Sequence, residues 1–133
     1  VAEHYNRTSD GSAFNKQEFY ADGSAFISDF KKWSRVTDLY VSCHYYNAGS
    51  PYLFTREAAR AADFNIKVVA DISCDIDGPI ACTLRPSTIA DPIYGYNPQT
   101  EQEVAANTKD CITVMAVDNL PCELPKDASK IWK

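Results

Sequence analysis

Glycine is scarce in this chain, with five in 133 residues. Gly11, Gly23, Gly49, Gly78 and Gly95 nowhere fall into G-x-G-x-x-G or G-x-x-x-x-G-K spacing, so these residues form no turn whose backbone N–H groups could cradle a phosphate. The five cysteines (Cys43, Cys74, Cys82, Cys111 and Cys122) never occur as C-x-x-C, and His4 and His44 stand apart from any cysteine pair. A structural zinc site has no ligand set in that pattern, and no metal is expected. Basic charge is not in excess: 13 Lys and Arg against 18 Asp and Glu give a net charge of −5. Nucleic acid, which is held by clustered cations, is therefore not an expected partner. No apolar run approaches the roughly 20 residues that span a bilayer, and no secretory leader pattern is present. The expectation is a cytoplasmic chain without membrane contact, its cysteines buried as free thiols in a reducing compartment.

What is present describes one folded unit over residues 1–133. The apolar set makes up 45% and charged residues 23%, proportions that exclude a disordered tail. Three apolar runs rich in β-branched residues predict the main strands: Thr37–Cys43, Ile66–Ile72 and Ile112–Val117. The second is apolar on both faces, which suits the centre of a parallel sheet covered by helices. Thr55 can cap a short helix over Arg56–Ala62, completing a strand–helix–strand unit. Phe26, Phe30 and Trp33 fall at helical offsets and predict an amphipathic helix over Glu18–Arg35 packed on the sheet, after a strand remnant and loop over Val1–Gln17. Residues 75–98 are broken by proline and glycine and read as an ordered excursion with side chains to bury. Thr100 and Glu103 have capping-box spacing and predict a short helix to about Ala106. Pro125 opens a last helix running to Trp132. The fold class expected is α/β: a partial Rossmann-like parallel sheet of three main strands with flanking helices.

Carboxylates cluster where strands end. Asp71, Asp75 and Asp77 close the second run, and Asp118 with Asn119 closes the third. Acidic residues there can serve turns, bonding their own backbone, or can face a crevice at the carboxyl ends of adjacent parallel strands, where α/β proteins hold ligands. His44 directly follows the first strand and is either a proton carrier at that crevice or a surface loop residue. Tyr45, Tyr46 and Tyr52 can wall a pocket or cover the sheet end, the latter being the commoner use of such residues. Cys43 and Cys74 have no neighbouring base in sequence, which argues against a nucleophilic thiol. Arg85, in a proline-rich loop, can clamp an anion or hold loop carbonyls.

Three segments together resemble a known family. Val68–Gly78 (VVADISCDIDG), Leu84–Pro92 (LRPSTIADP) and Val117–Pro125 (VDNLPCELP) are similar to the second half of the cofactor domain of alanine dehydrogenases and lysine-forming saccharopine dehydrogenases. The forms around Asp71 and Asp118 are nearer to the saccharopine branch, and the similarity runs from about Thr37 to the C-terminus. The resemblance implies a Rossmann domain that binds NAD, with an amino acid as substrate, and makes the three runs its fourth to sixth strands, on the nicotinamide side. It places Asp75 at the nicotinamide and substrate cleft as a catalytic residue, and Asp118 and Asn119 against the nicotinamide ribose and ring. His44 and Tyr45 would border the same end of the cofactor, without a family motif to fix them. It also implies that the glycine-rich turn and the main acid/base groups lie elsewhere in a longer enzyme, so that this piece alone would be inactive and would bind NAD poorly. The reading from a different class is a stand-alone Rossmann-like binding or interaction domain without catalysis.

Overall fold

The computed structural model describes residues 2–47 and 49–131. In chain order the elements are α1 (Ala2–Tyr5), β1 (Asn6–Thr8), α2 (Lys16–Ala21), a 3-10 turn (Gly23–Ala25), β2 (Phe26–Ser28), α3 (Lys31–Ser34), β3 (Leu39–Ser42), α4 (Arg56–Arg60), β4 (Val68–Asp71), β5 (Ile93–Asn97), β6 (Gln102–Val104), β7 (Ile112–Met115), a second 3-10 turn (Leu120–Cys122) and α5 (Pro125–Ile131). β1 and β2 pair antiparallel, and the other five strands form one sheet in the order β3-β4-β7-β5-β6. The three strands expected from the sequence are its parallel part, with β4 in the middle. β5 and β6 add an antiparallel hairpin beyond β7. The fold is thus α/β, as expected, with a mixed rather than a purely parallel sheet.

Register explains where the core sits. Tyr40, Val69, Val114 and Tyr94 stand side by side across four strands, and all are buried. Phe30, Phe54, Ile66 and Ile80 pack against this row, with Phe30 5.0 Å from Tyr40 and 6.0 Å from Phe54 between ring centroids. The opposite face carries Leu39, Val41, Val68 and Ile93, which remain exposed. The expectation that β4 is covered on both faces is therefore corrected: among the described residues only one face is packed.

Two predicted helices are replaced. Over residues 18–35 the chain breaks at Asp22, which is extended and accepts from the Ser24 N–H at 2.9 Å. Gly23 lies so close to Ser50 that a Cβ would stand 2.5 Å from its Oγ. Phe26 then enters β2 opposite Thr8, and it packs with Phe14 and Phe19 in a separate aromatic cluster. Trp33 is 39% exposed, its indole donating to the His4 carbonyl. Phe30 and Trp33 both pack edge-on to Tyr5, at 5.3 and 6.5 Å between ring centroids, so the helical spacing of Phe26, Phe30 and Trp33 serves two separate surroundings.

The second replacement is the capping-box helix. Asn97 accepts from the N–H groups of Gln99 and Thr100, and Glu101 adopts φ +58° while its N–H bonds the Asn97 carbonyl. This closes the β5–β6 turn, and Glu103 enters β6. Arg56 and Arg60 of α4 reach Glu101 at 3.0 and 3.2 Å. The α4 prediction holds in a shorter form, its first turn capped by Thr55 Oγ1 accepting from Ala58 N–H at 3.2 Å. The last helix holds over Pro125–Ile131, and Trp132 lies outside the described residues.

Candidate functional site

Parallel pairing brings the carboxyl ends of β3, β4 and β7 to one edge of the sheet. Ser42 and Asp71 are direct neighbours in register, and both point into the protein, at 0% and 1% exposure. A buried carboxylate must be supplied with donors, and Asp71 has three. Ser73 Oγ donates at 2.8 Å and Cys74 N–H at 3.1 Å to one oxygen, and Thr83 Oγ1 donates at 2.8 Å to the other. Ser73 Oγ also lies 2.9 Å from Ser42 Oγ, which in turn lies 2.9 Å from His44 Nδ1. A continuous hydrogen-bond chain thus runs from the sheet interior to His44.

The turn after β4 is held by local geometry. Cys74 and Asp77 take positive φ, at 51° and 52°. Gly78 N–H bonds the Asp75 carbonyl at 3.1 Å, and a Cβ on Gly78 would stand 2.6 Å from Asp75 Cβ, which explains the glycine. Asp75 is half-buried on this turn. Burial and the nearby Asp71 hold its carboxyl above the usual range, with His44 opposing. Burial holds the His44 imidazole below its ordinary value, against the pull of Asp71 and Asp75. Burial thus displaces the two proton affinities in opposite directions, and each group acts electrostatically on the other.

Asp118 and Asn119 follow β7 at the same edge and are exposed. Asn119 starts the 3-10 turn, its carbonyl accepting from Cys122 N–H at 3.0 Å. Asp118 acts on Cys74, whose thiol is held up by burial first and then by Asp118, Asp71 and Asp75. That disfavours the thiolate and agrees with the reading that Cys74 is no nucleophile. Tyr45 is 78% exposed. With Tyr46 and His44 it lines a cavity of about 520 Å³ between the N-terminal segment and the loop after β3. The tyrosines are thus cavity wall rather than core, and Tyr52 instead donates to the Asp77 carbonyl.

The sheet edge therefore gathers His44, Asp75, Asp118 and Asn119, while Tyr45 opens toward the adjoining cavity. Sequence reasoning passed over Ser42, Ser73 and Thr83. The available signal was the period-two pattern of β4, which turns Asp71 inward with Val69 and so demands partners. Arg85 takes the structural alternative: it donates to the Pro86 carbonyl at 3.1 Å, grips Glu103 through two bonds of 2.8 and 2.7 Å and lies 4.7 Å over the Tyr94 ring. Among the five cysteines, all free, only Cys82 is buried, and Cys43 and Cys122 are exposed, which corrects the expectation of buried thiols. Among the described residues no group of three or more His, Cys, Asp or Glu could hold a metal ion, and no helix is long and apolar enough to cross a membrane.

Comparison with known proteins finds relatives over 72–89% of the chain. The chain is 31% identical over 122 residues to an alpha-aminoadipic semialdehyde synthase of Arabidopsis thaliana, a match covering 89% of this chain. It is 27% identical over 111 residues, 80% of the chain, to the NAD(+), L-lysine-forming saccharopine dehydrogenase of Schizosaccharomyces pombe. The chain is thus similar to saccharopine dehydrogenases over most of its length. The saccharopine dehydrogenase of Neurospora crassa, of the same description, matches at 26% over 96 residues. The chain spans only 12%, 29% and 25% of the lengths of these three relatives. No family model matches it.

Proposed function

We propose that this chain is the nicotinamide-side half of the dinucleotide-binding domain of a longer NAD-dependent enzyme. Its reaction is the oxidation of saccharopine, in which the CH–NH carbon gives up a hydride to NAD and the amine a proton, and water then hydrolyses the resulting imine to lysine and 2-oxoglutarate. The observation that carries the reading is the parallel order β3-β4-β7 with His44, Asp75 and Asp118 at the three carboxyl ends, the edge where open α/β sheets hold ligands. The open apolar face of Leu39, Val41 and Val68 supports the same reading, because parallel sheets are covered on both sides in complete doubly wound domains.

The residues present fit one end of a nicotinamide dinucleotide. Asp75, Asp118 and Asn119 offer acceptors for ribose hydroxyls and a carboxamide N–H, whereas no glycine-rich turn is available here for a pyrophosphate. When bound, the cofactor supplies the hydride acceptor. Asp118 and Asn119 hold its nicotinamide end, and His44 and Tyr45 border it. Asp75, its carboxyl held high by burial, orients the amino-acid substrate's amine or passes its proton. The names of the relatives favour saccharopine over alanine as substrate. The 133 residues alone would be inactive and would bind NAD weakly, and the whole enzyme would act in the cytoplasm.

The experiment is a turnover assay of the complete protein with NAD and saccharopine, alanine, lysine or glutamate, following NADH absorbance. Saccharopine should be oxidised, and Asp75→Asn should lower kcat by about 10²-fold or more, as loss of an acid/base group does. Absence of turnover with all four amino acids would remove the substrate assignment.

A further inference from the structure

The hydrogen-bond chain from Asp71 to His44 has a defined direction. A hydroxyl carries one proton, and an ionised carboxylate only accepts. Ser73 commits its proton to Asp71 Oδ1 at 2.8 Å. Its 2.9 Å contact with Ser42 Oγ therefore uses the Ser42 proton. The 2.9 Å contact between Ser42 Oγ and His44 then requires a proton on Nδ1. In the neutral ring this leaves the lone pair on Nε2, which meets no partner among the described residues. The polarity is anchored at its buried end, because Cys74 N–H and Thr83 Oγ1 also donate to Asp71.

His44 lines the cavity of about 520 Å³, whose walls include Tyr5, Phe19, Tyr20 and Tyr40. That volume falls in the range of small-molecule sites, which combine apolar walls with a few oriented polar groups. Asn47 and Lys16 are further polar members of the lining. We propose that His44 is a ligand-binding acceptor: Asp71, Ser73 and Ser42 fix its Nδ1–H tautomer so that Nε2 receives an N–H from a small ligand in this cavity. The ligand carries an amine or carboxamide N–H on a flat or aliphatic body. Ser42 and Ser73 are positioning residues, since their hydroxyls bond each other, the histidine and the carboxylate that anchors it. The choice of probes below rests on the dehydrogenase reading, whereas the tautomer does not.

The test is magic-angle-spinning ¹⁵N NMR of the complete protein labelled at histidine, with the His44 signals identified by their loss in His44→Gln. At neutral pH the free protein should show a protonated Nδ1 and an unprotonated Nε2. Ser73→Ala should shift the balance toward the Nε2–H tautomer, because Ser42 is then free to donate to Nδ1. Asp71→Asn should retain the native tautomer, since an amide oxygen can still accept from Ser73 while its NH₂ turns to Thr83. Adding nicotinamide, NAD, L-lysine or saccharopine should move the Nε2 resonance for at least one probe. A response to nicotinamide and NAD identifies the carboxamide as the donor, and a response to lysine or saccharopine identifies the amine. An Nε2–H tautomer in the free protein, a Ser73→Ala spectrum identical to the native one, or an Nε2 signal unmoved by all four probes would overturn the proposal. Failure of the turnover assay with these NMR results intact would overturn only the dehydrogenase reading.

Discussion

Thr83 Oγ1 donates to Asp71 Oδ2 at 2.8 Å, joining the loop after β4 to the carboxylate at that strand's end, and both residues are 1% exposed. The bond is one of three that supply the buried carboxylate with donors. Replacing Thr83 by Val keeps the shape but leaves one carboxylate oxygen without its donor. The expected loss is about 1–3 kcal/mol of stability, read as a lower urea midpoint with unchanged slope.

Tyr96 is fully buried, and its hydroxyl has no partner among the described residues. A buried donor without a partner costs free energy that a phenylalanine would not. Tyr96→Phe should therefore leave the melting temperature unchanged or raise it, whereas a paired tyrosine would show a fall.

Gly95 sits in β5 opposite Val104, where a Cβ would lie 2.6 Å from the Ala105 carbonyl oxygen. The contact is with backbone, so no side chain can turn aside. Gly95→Ala should destabilise by about 1–3 kcal/mol through overpacking, measurable as a lower thermal midpoint. Circular dichroism at low temperature should still show the native sheet signal.

The displaced proton affinities at the site predict opposite pH effects. His44 is held low by burial, so between its folded and unfolded values the unfolded chain binds more protons. Its contribution is intact above about pH 6.5 and is lost as pH falls through the lower folded value. Asp75 is held high by burial and Asp71. Its contribution is intact below the model-peptide value near 3.8 and is lost as pH rises through the folded value. Unfolding midpoints measured across pH should show His44→Gln flattening the decline just below pH 6.5, and Asp75→Asn exceeding native stability at pH 7 but not at pH 3. An Asp75→Asn protein less stable than the native one at pH 7 would contradict the burial argument.

The parallel strands were legible because Leu39–Ser42, Val68–Asp71 and Ile112–Met115 are short apolar runs bounded by turn residues. The β5–β6 hairpin was not, since Tyr94-Gly-Tyr96 lies among prolines and Thr100 with Glu103 imitates a helix start. The turn itself is closed locally by Asn97, but the partners that hold its acidic residues are non-local: Glu103 is held by Arg85, and Glu101 by Arg56 and Arg60. The acidic strand ends could be found by position alone. The chain through Ser42 and Ser73 could not, because it joins residues 31 apart that meet only through the β3–β4 register. Local pattern therefore revealed the charges but not the contacts that orient them.

In the proposed function the carboxyl ends of β3, β4 and β7 face the nicotinamide half of a dinucleotide. The most direct measurement is a structure of the complete protein with NAD bound. Asp118 or Asn119 should lie within hydrogen-bond reach, about 3.2 Å or one water, of the nicotinamide or its ribose, with Asp75 beside the ring. Finding His44, Asp75, Asp118 and Asn119 all more than about 10 Å from the nicotinamide, several times that reach, would contradict it.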